Sequence, residues 1–524
     1  MFDVVVVGYG PVSQLLVLAL AKQGRSVAVV ERWQQRYPLP RAVCIDHEIY
    51  RILCANGLAD KLPLISQGGE VYEWFNADWR ELLSIDWTSQ AISGGSYANF
   101  IHQPTLEEWL DDAIAQMPNV TLMLGYEVTA ANQDDCSAWM DATETTTGET
   151  KHITGQYLVG CDGANSFIRQ QIGGEREDRG FEADWLVIDV RLAEGETAES
   201  LGIPIACQYC HPSQPTTIGP GGIRDGRIYR RWEFMRLPGM AVEEMESEAL
   251  VWELLSRWVK PDQVELVRHK IYTFRSLMAQ RWRDRRILIA GDAAHLMPPF
   301  LGQGLCSGMR DVWNLAWKLA LILDGKADGR LLNSYQTERF DHVDALIDAS
   351  IELGKIVCIP DTDAAAARDA AFFRGDIPAL PEFPTMTDGL VMRADDGRIA
   401  PGAGQLAPHV MVRSGGQTGR MDDIVGTGFL LVTNAKLTLD TQLADRLQSI
   451  GGHIATFAEG ELEDLDGRMR EFLSAHSWTA MLVRPDFYVY GGAEQLADIE
   501  PLVERFFDDM VRAGLHTPSE AALP

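Results

Sequence analysis

The first thirty residues change from one apolar pattern to another, which predicts a strand, a helix and a second strand. Residues 2–7 are almost entirely valine, as expected for a parallel strand covered on both faces. From Pro11 to Gln23 leucines and alanines recur at helical spacing, and Gly24 is placed to end the helix. Ser26–Glu31 has the apolar character of the second strand. The chain therefore begins with a βαβ unit of about 30 residues.

Between residues 180 and 270 the pattern changes to alternating segments that contain aromatic residues. Trp185–Val190 and Ile228–Met235 are two of them, and they predict strands of a mostly antiparallel sheet. Residues 286–290 then return to the parallel-strand pattern. Long helices are predicted beyond them, at 308–323 and 334–353. We interpret the alternating region as an insertion in an α/β domain.

The stretch 359–384 has a composition that resists regular structure. It contains an alanine run and the closely spaced prolines Pro378, Pro381 and Pro384, which are typical of a linker. Beyond residue 400 the chain predicts a compact α/β domain of roughly 120 residues. Its elements are strands at 428–432 and 478–483 and helices at 440–450 and 494–513.

Composition and charge narrow the classes of function. The chain has 524 residues, 46% of them apolar, enough for more than one hydrophobic core. Its 46 basic and 75 acidic residues give a formal charge of −29, which argues against nucleic acid and anionic membranes as partners. No signal segment is found at the N-terminus, and the apolar runs are shorter than the roughly 20 residues that cross a bilayer. We therefore expect a cytoplasmic protein.

The cysteines do not indicate a disulfide scaffold or a metal site. The chain has eight, spread over its length, which fits reduced thiols in the cytosol. Cys207 and Cys210 form a CxxC, but it lacks the second pair of ligands that a zinc site needs. We therefore expect no bound metal.

Three strand-to-loop junctions, far apart in sequence, place glycine and an acid where a phosphate- and sugar-bearing cofactor needs them. In the first, Gly8 permits a tight turn and Gly10 lets a pyrophosphate approach the N-terminus of the helix. Ser13 stands where the usual third glycine would be, and Glu31 is placed to bind the adenosine ribose hydroxyls. The other two junctions are Tyr157–Gly163 and Ile287–Pro298.

Asp162 and Asp292 follow a glycine at the end of an apolar strand in these two junctions; Gly160 stands two residues before Asp162, and Gly291 stands directly before Asp292. An acid there is costly unless it is solvated or hydrogen-bonded, and the ribityl hydroxyls of a flavin are suitable partners. Each could instead cap the N-terminus of a helix. The three junctions together favour FAD.

These motifs resemble the single-component, class A flavoprotein aromatic hydroxylases. The resemblance covers residues 2 to about 345 and is carried by the Gly8–Glu31 fingerprint, Pro40–Asp46, Cys161–Ser166 with Arg169, Gly291–His295, Gly302–Asp311 and Asn314–Leu319. The C-terminal segment resembles the thioredoxin-like domain appended to one branch of this family. That segment has no cysteine, so a dithiol role is excluded.

The resemblance implies an α/β fold with a Rossmann-type FAD-binding domain, an inserted, mostly antiparallel β-sheet substrate domain and a C-terminal thioredoxin-like domain. We place the discontinuous FAD-binding domain at 1–178 and 271–358, the substrate domain at 179–270, a linker at 359–399 and the thioredoxin-like domain at 400–524. It also implies a set of residues that bind FAD. They are Gly8, Gly10, Pro11, Val12, Glu31, Arg32, Arg41, Gln103, Asp162, Arg169, Asp292, Pro299, Gly302, Gly304 and Leu305.

The activity implied is hydroxylation of a phenol with NADH or NADPH as co-substrate. Hydride from the nicotinamide reduces FAD, O2 adds at the flavin C4a atom, and the resulting hydroperoxide passes one oxygen atom to the ring. We expect a substrate similar to 3-hydroxyphenylpropionate, whose carboxylate Arg224 or Arg231 could pair with. Candidates for activating the phenol are Tyr209, His211, Tyr229, Arg231 and His295, although for any one of them a structural role is favoured.

Other functions stay open at this point. The substrate could be a polycyclic aromatic polyketide, and the size of the pocket would separate the two cases. A non-catalytic flavin-binding scaffold is a further alternative. A flavin halogenase fits less well, because this sequence lacks the lysine-bearing motif of the halogenases. A plain NAD dehydrogenase also fits less well, because it would need only one of the three junctions. A homodimer is one assembly state that the sequence allows.

Overall fold

The computed structural model describes residues 1–378 and 383–516; Pro381 of the predicted linker and residues 517–524 of the predicted C-terminal domain lie outside the described residues. At its centre is a mostly parallel sheet, called here the nucleotide sheet. Its strands follow the order Arg283–Asp284, Ile287–Ile289, Thr150–Gly160, Phe2–Val7, Val27–Glu31 and Val120–Leu124. Two antiparallel strands, Tyr126–Gln133 and Ala138–Glu144, extend it beside Thr150–Gly160.

The predicted βαβ unit is confirmed by strands Phe2–Val7 and Val27–Glu31 and the helix Pro11–Lys22 between them. The first strand pairs in parallel with a neighbour on each side, so the direction of connection reverses next to it. In α/β sheets such a switch point opens a crevice at the carboxyl ends of the strands. The helix has its leucines buried because the helices Gln103–Ala115 and Gly304–Leu323 pack against it.

A second sheet, called here the inserted sheet, confirms the predicted antiparallel insertion. Strand Arg176–Leu192 pairs antiparallel with Arg227–Met235 and Val264–Ala279. The sheet also contains His295–Leu296, Thr216–Arg224, Cys207–Tyr209, Val71–Phe75 and Glu81–Asp86. The last two strands lie outside the predicted range 179–270. They join through a parallel pairing of Val71–Phe75 with Cys207–Tyr209, a long-range contact that the pattern of neither segment reveals.

The two faces of the inserted sheet differ in chemistry. Its outer face buries Ile188, Trp232 and Phe234 under the short helices Val242–Met245 and Glu248–Leu255. Its inner face turns toward the FAD-binding domain. Because side chains alternate along a strand, the neighbours of the buried aromatic residues, including several charged ones, point to this inner face.

The predicted long helices are confirmed as Gly304–Leu323 and Asn333–Val357. A small sheet bridges the two larger ones and consists of Cys44–Asp46, Ala98–Ile101 and Ser66–Gly68. The other helices of this half are His47–Leu53, Leu62–Ile65 and Phe167–Gln171, with a π-helical turn at Cys54–Leu58 and 3₁₀ turns at Gly291–Ala293, Pro299–Leu301 and Gly329–Leu332. None of the described helices is both long and apolar enough to cross a membrane.

The expectation of irregular structure between 359 and 384 is wrong for Thr362–Phe373, which form a helix. The side chain of Asp361 accepts a hydrogen bond from the backbone N–H of Ala364 and caps this helix. Alanine has the highest helix propensity, so the run that we took for a linker propagates the helix once it is capped.

The C-terminal domain has the predicted α/β character. One sheet orders its strands as Gly452–Thr456, Phe429–Thr433, Ala480–Val483 and Val489–Ala493. A smaller sheet contains Gln417–Arg420, Met411–Ser414 and Glu463–Asp464. The helices are Met421–Ile424, Thr441–Ser449, Arg468–Ala475 and Ile499–Ala513, with a 3₁₀ turn at Leu496–Asp498.

A buried cluster of charges joins the C-terminal domain to the FAD-binding domain. The carboxylate of Glu338 accepts hydrogen bonds from both terminal nitrogens of Arg484, at 2.9 and 2.7 Å, and from Lys318 at 2.6 Å. Arg484 also bonds to Asp486, which in turn accepts a hydrogen bond from Asn314 at 2.8 Å. Since these charges are removed from water, Glu338 and Arg484 each depend on a partner in the other domain.

We predict that Glu338→Ala lowers the free energy of unfolding by about 3–5 kcal/mol, because Arg484 and Lys318 would remain buried without their shared counter-charge. Chemical denaturation measures the loss. Glu352→Ala is the matched control, since Glu352 lies on the same helix and, among the described residues, pairs only with Lys355 at the surface; we expect a change below about 1 kcal/mol. Equal stability of the two variants would contradict the role of the cluster.

The same cluster makes stability depend on pH. Burial alone would raise the pKa of Glu338, but Arg484 and Lys318 hold that pKa well below its ordinary value of 4.5. The stabilisation is therefore fully present above pH 4.5 and is lost as the pH falls through the lowered pKa. The free energies of unfolding of the wild-type protein and of Glu338→Gln, measured by chemical denaturation, should therefore converge at low pH.

Candidate active site

The three junctions meet at one edge of the nucleotide sheet. Val7 lies opposite Gly160 in the register of the first pair of strands, and Gly160 lies opposite Ile289 in the next. The residues that follow these strands therefore start side by side at the carboxyl edge, where the switch point opens the crevice. The convergence that the FAD hypothesis requires is present.

The junctions touch through their backbones. Gly8 has φ +94°, and a Cβ atom there would lie 2.4 Å from the carbonyl oxygen of Cys161 in the second junction. At Gly308, on the helix after the third junction, a Cβ atom would lie 2.8 Å from Val12 and 3.0 Å from the Cα atom of Gly291. Both contacts are too close for any residue with a side chain.

The first junction presents an open helix N-terminus. Gly10 precedes the helix that starts at Pro11, and no side chain caps it, so the first N–H groups remain available to an anion. Ser13 is buried, and its hydroxyl donates to the carbonyl oxygen of Gly10 at 2.8 Å, which satisfies the residue that replaces the third glycine. Glu31 accepts from the backbone N–H of Tyr9 at 2.8 Å at the end of the second strand.

The second junction is largely self-contained. The carboxylate of Asp162 accepts from the Ser166 hydroxyl at 2.5 Å and from the backbone N–H of Ile168 at 3.1 Å, the helix-capping role that we kept as an alternative. Arg169 is buried and donates to the carbonyl oxygens of Ala164 and Ala293. It therefore fixes the second junction to the third.

Asp292 in the third junction is exposed to the crevice and bonds to no other described residue. The surrounding protein raises the pKa of Asp292 by desolvation, while the charges of Arg41 and His295 oppose that rise. The guanidinium of Arg41 also lies 3.6 Å from the Cβ position of Gly10. Arg41 thus lies between the first and third junctions.

Gln103 holds the Arg41 segment in place. Its side-chain oxygen accepts from the backbone N–H of Arg41 at 3.1 Å and of Ala42 at 2.6 Å. Arg32, at the end of the second strand, lies over the Trp33 ring with 5.2 Å between the guanidinium carbon and the ring centroid. No contact of Arg32 with the junctions is seen among the described residues.

The loop 298–305 enters the crevice between two ordered segments. Pro299 opens a 3₁₀ turn, Gly302 ends it with φ +64°, and the long helix starts at Gly304 with Leu305 half-buried. On that helix, Arg310 donates to the Gln303 side chain at 2.9 Å, to Glu48 at 2.5 Å and to Asp46. A buried cation therefore holds the loop against the small sheet.

His295 is buried beneath the crevice. Its Nε2 atom lies 2.7 Å from Asp311, which also accepts from the Gly291 backbone N–H and from Arg339, both at 3.0 Å. Burial raises the pKa of Asp311, but His295 and Arg339 bring it below the ordinary value. These contacts give His295 a role in holding the third junction.

Tyr209 and His211 lie at one end of the inserted sheet. The Tyr209 ring stacks on Trp79 with centroids 4.5 Å apart, and its hydroxyl donates to the carbonyl oxygen of Ala77 at 3.0 Å. The Nδ1 atom of His211 bonds to Ser213. Both side chains are thus engaged within the inserted domain, and the structure does not bring them to the junctions.

The cations that could pair with a substrate carboxylate already have acidic partners. Arg231 is buried, binds Asp189 at 2.7 Å and donates to the carbonyl oxygens of Arg41 at 2.6 Å and Pro40 at 3.0 Å. Arg224 pairs with Glu108 at 3.2 Å. Arg231 therefore attaches the inserted sheet to the segment that carries Arg41.

Tyr229, on the same strand as Arg231, packs against His102 with ring centroids 4.6 Å apart.

Sequence reasoning missed a polar row on the inner face. Gln208 lies opposite Thr217 in the strand register, and Thr217 lies opposite Glu233. Each is a polar residue between two residues that belong to the outer face, as in Trp232, Glu233 and Phe234. This alternation of polar and apolar residues can be read from the sequence, but strand pairing decides whether the polar side chains face the FAD-binding domain.

Comparison with known proteins agrees with this geometry. A family model described as FAD binding domain matches residues 1–350. The chain belongs to the FAD-binding domain family. A second model, the HcaD C-terminal domain, matches residues 404–509. The predicted FAD cofactor, the fold class and the resemblance to class A flavoprotein aromatic hydroxylases are confirmed by these matches and the relatives below.

Two curated relatives of this family member cover nearly the whole chain. A probable NADH-specific resorcinol 4-hydroxylase of Rhodococcus jostii is 34% identical over 100% of this chain and 97% of the relative. A 3-(3-hydroxy-phenyl)propionate/3-hydroxycinnamic acid hydroxylase of Escherichia coli is 29% identical over 93% of this chain and 91% of the relative. Both relatives are hydroxylases, and the enzyme class predicted from the motifs is therefore confirmed.

Solved structures share the fold over the same length. The flavin-dependent monooxygenase PieE in complex with FAD and substrate has a TM-score of 0.80 at 21% identity, over 99% of both chains. Aklavinone-11 hydroxylase in a ternary complex with FAD and aklavinone has a TM-score of 0.76 at 22% identity, over 97% of this chain and 99% of the other. At such identities the likeness shows the fold alone.

We predict that Gly8→Ala retains less FAD than the wild type, because the added methyl group would overlap the Cys161 carbonyl oxygen and separate the first two junctions. The ratio of flavin to protein absorbance measures retention. Gly24→Ala is the control, since Gly24 also has a positive φ (+78°) but no atom within 4 Å of its Cβ position. Equal loss in the two variants would indicate backbone strain rather than close approach.

We also predict that Asp292→Ala weakens FAD binding roughly 10- to 100-fold, the effect of losing one hydrogen bond to a charged group. Equilibrium dialysis of the flavin gives the dissociation constant. Asp135→Ala removes an acid that is exposed and far from the crevice, and it should leave that constant unchanged. Full flavin occupancy with unchanged turnover in Asp292→Ala would count against the assignment of this site.

Proposed function

We propose that this enzyme hydroxylates a neutral phenol of the resorcinol type, with NADH as reductant and O2 as the source of the oxygen atom. The observation that carries the reaction class is the meeting of three junctions at one edge of the nucleotide sheet. A dehydrogenase of Rossmann type requires one such junction. Three junctions provide for an extended cofactor that carries both an adenosine and a ring system.

The residues around the crevice fit FAD. The open helix N-terminus after Gly10 suits the pyrophosphate, Glu31 suits the adenosine ribose, and Asp292 with its free carboxylate suits a hydroxyl of the flavin side chain. The Gly302–Gly304 loop would face the isoalloxazine ring. When bound, FAD supplies electron transfer from the nicotinamide and activation of O2.

The remaining residues predicted to bind FAD hold in place the residues that would contact it. Pro11 starts the helix, Val12 packs against the third junction, Gln103 fixes the Arg41 backbone, and Arg169 ties two junctions together. The protein must also exclude water from the reacting centre, because the reduced oxygen species would otherwise be lost unproductively. The aromatic contact between Trp185 and Phe300, with centroids 5.7 Å apart, supports such a closed wall beside the loop.

The charges on the inner face support a neutral substrate rather than the expected phenolic acid. A carboxylate in that pocket would need an unpaired cation. Among the described residues of the inner face, Arg231 and Arg268 share the carboxylate of Asp189, at 2.7 and 2.6 Å. Arg224 is paired with Glu108. The resorcinol hydroxylase named above, 34% identical, acts on a phenol without a carboxylate.

NADH is proposed over NADPH because that same relative carries the description NADH-specific. We further propose a cytoplasmic location, which the eight free cysteines support, since oxidising compartments favour disulfides. A homodimer remains our proposal for the assembly, and size-exclusion chromatography with light scattering would test it.

We predict that the purified protein is yellow and that resorcinol and simple phenols accelerate its oxidation of NADH, with a hydroxylated product identified by mass spectrometry. Phenylpropionates should stimulate less, because they bring an unpaired carboxylate into the pocket, whereas stronger stimulation by polycyclic phenols would favour the alternative substrate class. Colourless protein would favour the scaffold alternative. Strong turnover of phenylpropionates would contradict the neutral-substrate assignment.

A further inference from the structure

The inner face of the inserted sheet carries one row of residues that runs across five strands. In the strand register Trp74 lies opposite Gln208, Gln208 opposite Thr217, Thr217 opposite Glu233, and Glu233 opposite Val187. Paired residues on neighbouring strands point to the same face of a sheet. The row is therefore continuous, apolar at both ends and polar in the middle.

Contacts on both sides fix this row above the crevice. Two residues before Glu233, Arg231 donates to the backbone of Pro40 and Arg41. Two residues after it, Met235 belongs to an apolar cluster with Trp185 and with Phe300 of the loop 298–305. The polar middle of the row thus lies between the Arg41 segment and the loop, where an aromatic ring above the isoalloxazine would be.

Glu233 is the one acid of this row. Its side chain is 11% exposed, and its nearest charged partner, Arg231, is 3.6 Å away, beyond hydrogen-bond distance. No described residue donates a hydrogen bond to it. A buried carboxylate without a donor is costly, so the site is arranged for a donor that the protein itself does not supply.

The other polar members of the row already have partners. The Thr217 hydroxyl donates to the Gln208 side-chain oxygen at 2.8 Å, and the Gln208 nitrogen donates to the Tyr72 hydroxyl at 2.6 Å. Because the Tyr72 hydroxyl oxygen accepts the last of these hydrogen bonds, its proton is free to be donated to a second polar group of a ligand. The same hydrogen bonds hold the side chains of Gln208 and Thr217 in place beside Glu233.

We propose that Glu233 is the catalytic residue that accepts the hydroxyl proton of the phenol, and that Tyr72, oriented by Gln208 and Thr217, donates to a further oxygen on the ring. The inference rests on the proposed function. It transfers the activating role from Tyr209, His211, Tyr229, Arg231 and His295, whose contacts are described above, to an acid that the sequence did not single out.

The proton balance of the step is simple. The O–H bond of the phenol breaks and its proton passes to a carboxylate oxygen of Glu233. The electron-rich ring carbon forms the new C–O bond to an OH group derived from O2, which two electrons from NADH have reduced, as the O–O bond breaks and the second oxygen atom leaves as hydroxide. The ring carbon then loses its hydrogen as a proton, which converts that hydroxide to water. Glu233 returns its proton to the first oxygen, so the product carries one hydroxyl group more than the substrate.

Glu233→Gln tests the proposal while preserving the shape of the side chain. We expect unchanged FAD content and continued NADH oxidation with resorcinol, but a yield of hydroxylated product about 100-fold lower, the low end of the range for losing a general base. Hydrogen peroxide should account for the difference. Glu233→Asp should recover part of the yield. Glu265→Gln, on an exposed site of the same sheet, is the matched control.

A second readout needs no turnover. Binding of 4-nitrophenol to the FAD-loaded enzyme without NADH can be followed across the ionisation of the probe by its colour. Among the described residues, three charged groups face Glu233: Arg231, Arg268 and Asp189. Burial and the negative charge of Asp189 raise the pKa of Glu233, the two arginines lower it, and the net effect is a raised pKa. The affinity of the wild-type enzyme for 4-nitrophenol should fall as the probe ionises, because the phenol oxygen and the Glu233 carboxylate share one proton in the complex. Glu233→Gln should bind the neutral and the ionised probe with equal affinity.

The outcomes separate the two levels of the argument. If the wild type forms no hydroxylated product from any phenol, the proposed function fails. If the wild type is active and Glu233→Gln keeps both its product yield and the pH dependence of 4-nitrophenol binding, the assignment of Glu233 is overturned while the function stands. Loss of FAD from Glu233→Gln alone would also overturn it, since the residue would then act on the fold.

Discussion

The active site depends on three loop backbones that approach each other more closely than side chains would permit. Gly8 lies against the carbonyl of Cys161, and Gly308 lies against Gly291 and Val12. These contacts bring segments more than a hundred residues apart in sequence to a single edge. The acids, the helix N-terminus and the loop 298–305 can act on one cofactor only because this packing holds.

Around that edge, the residues that hold the loops in place differ from those whose carboxylates have no hydrogen-bond partner in the part of the chain that the structure describes. Arg310, Arg169 and the His295–Asp311 pair are buried and hold loops in place. Asp292, which is exposed to the crevice, has no hydrogen-bond partner among the described residues, and the buried Glu233 has no donor among them. Buried polar groups are normally satisfied, so the unsatisfied carboxylate of Glu233 supports the proposal that a ligand completes it.

The sequence predicted what is encoded locally. Glycine and acid at the end of a valine-rich strand identify the junctions without any knowledge of pairing, and family motifs extend that to the cofactor. The substrate side was not predictable in the same way. Tyr209 and Gln208 are adjacent in sequence and lie on opposite faces, and strand pairing with distant segments decides which face meets the cofactor. The alanine run after Asp361 was misjudged because its cap was overlooked.

The shared carboxylate of Glu338 has a consequence for the independence of the two halves. A fragment that ends before residue 400 would keep Glu338 and Lys318 but lose Arg484, which donates two hydrogen bonds to the Glu338 carboxylate, and it would expose to water a face that the C-terminal domain now covers. The C-terminal domain is thus a covalently attached subunit of the catalytic half rather than a detachable module. Attempts to obtain a minimal flavoprotein by truncation should retain it.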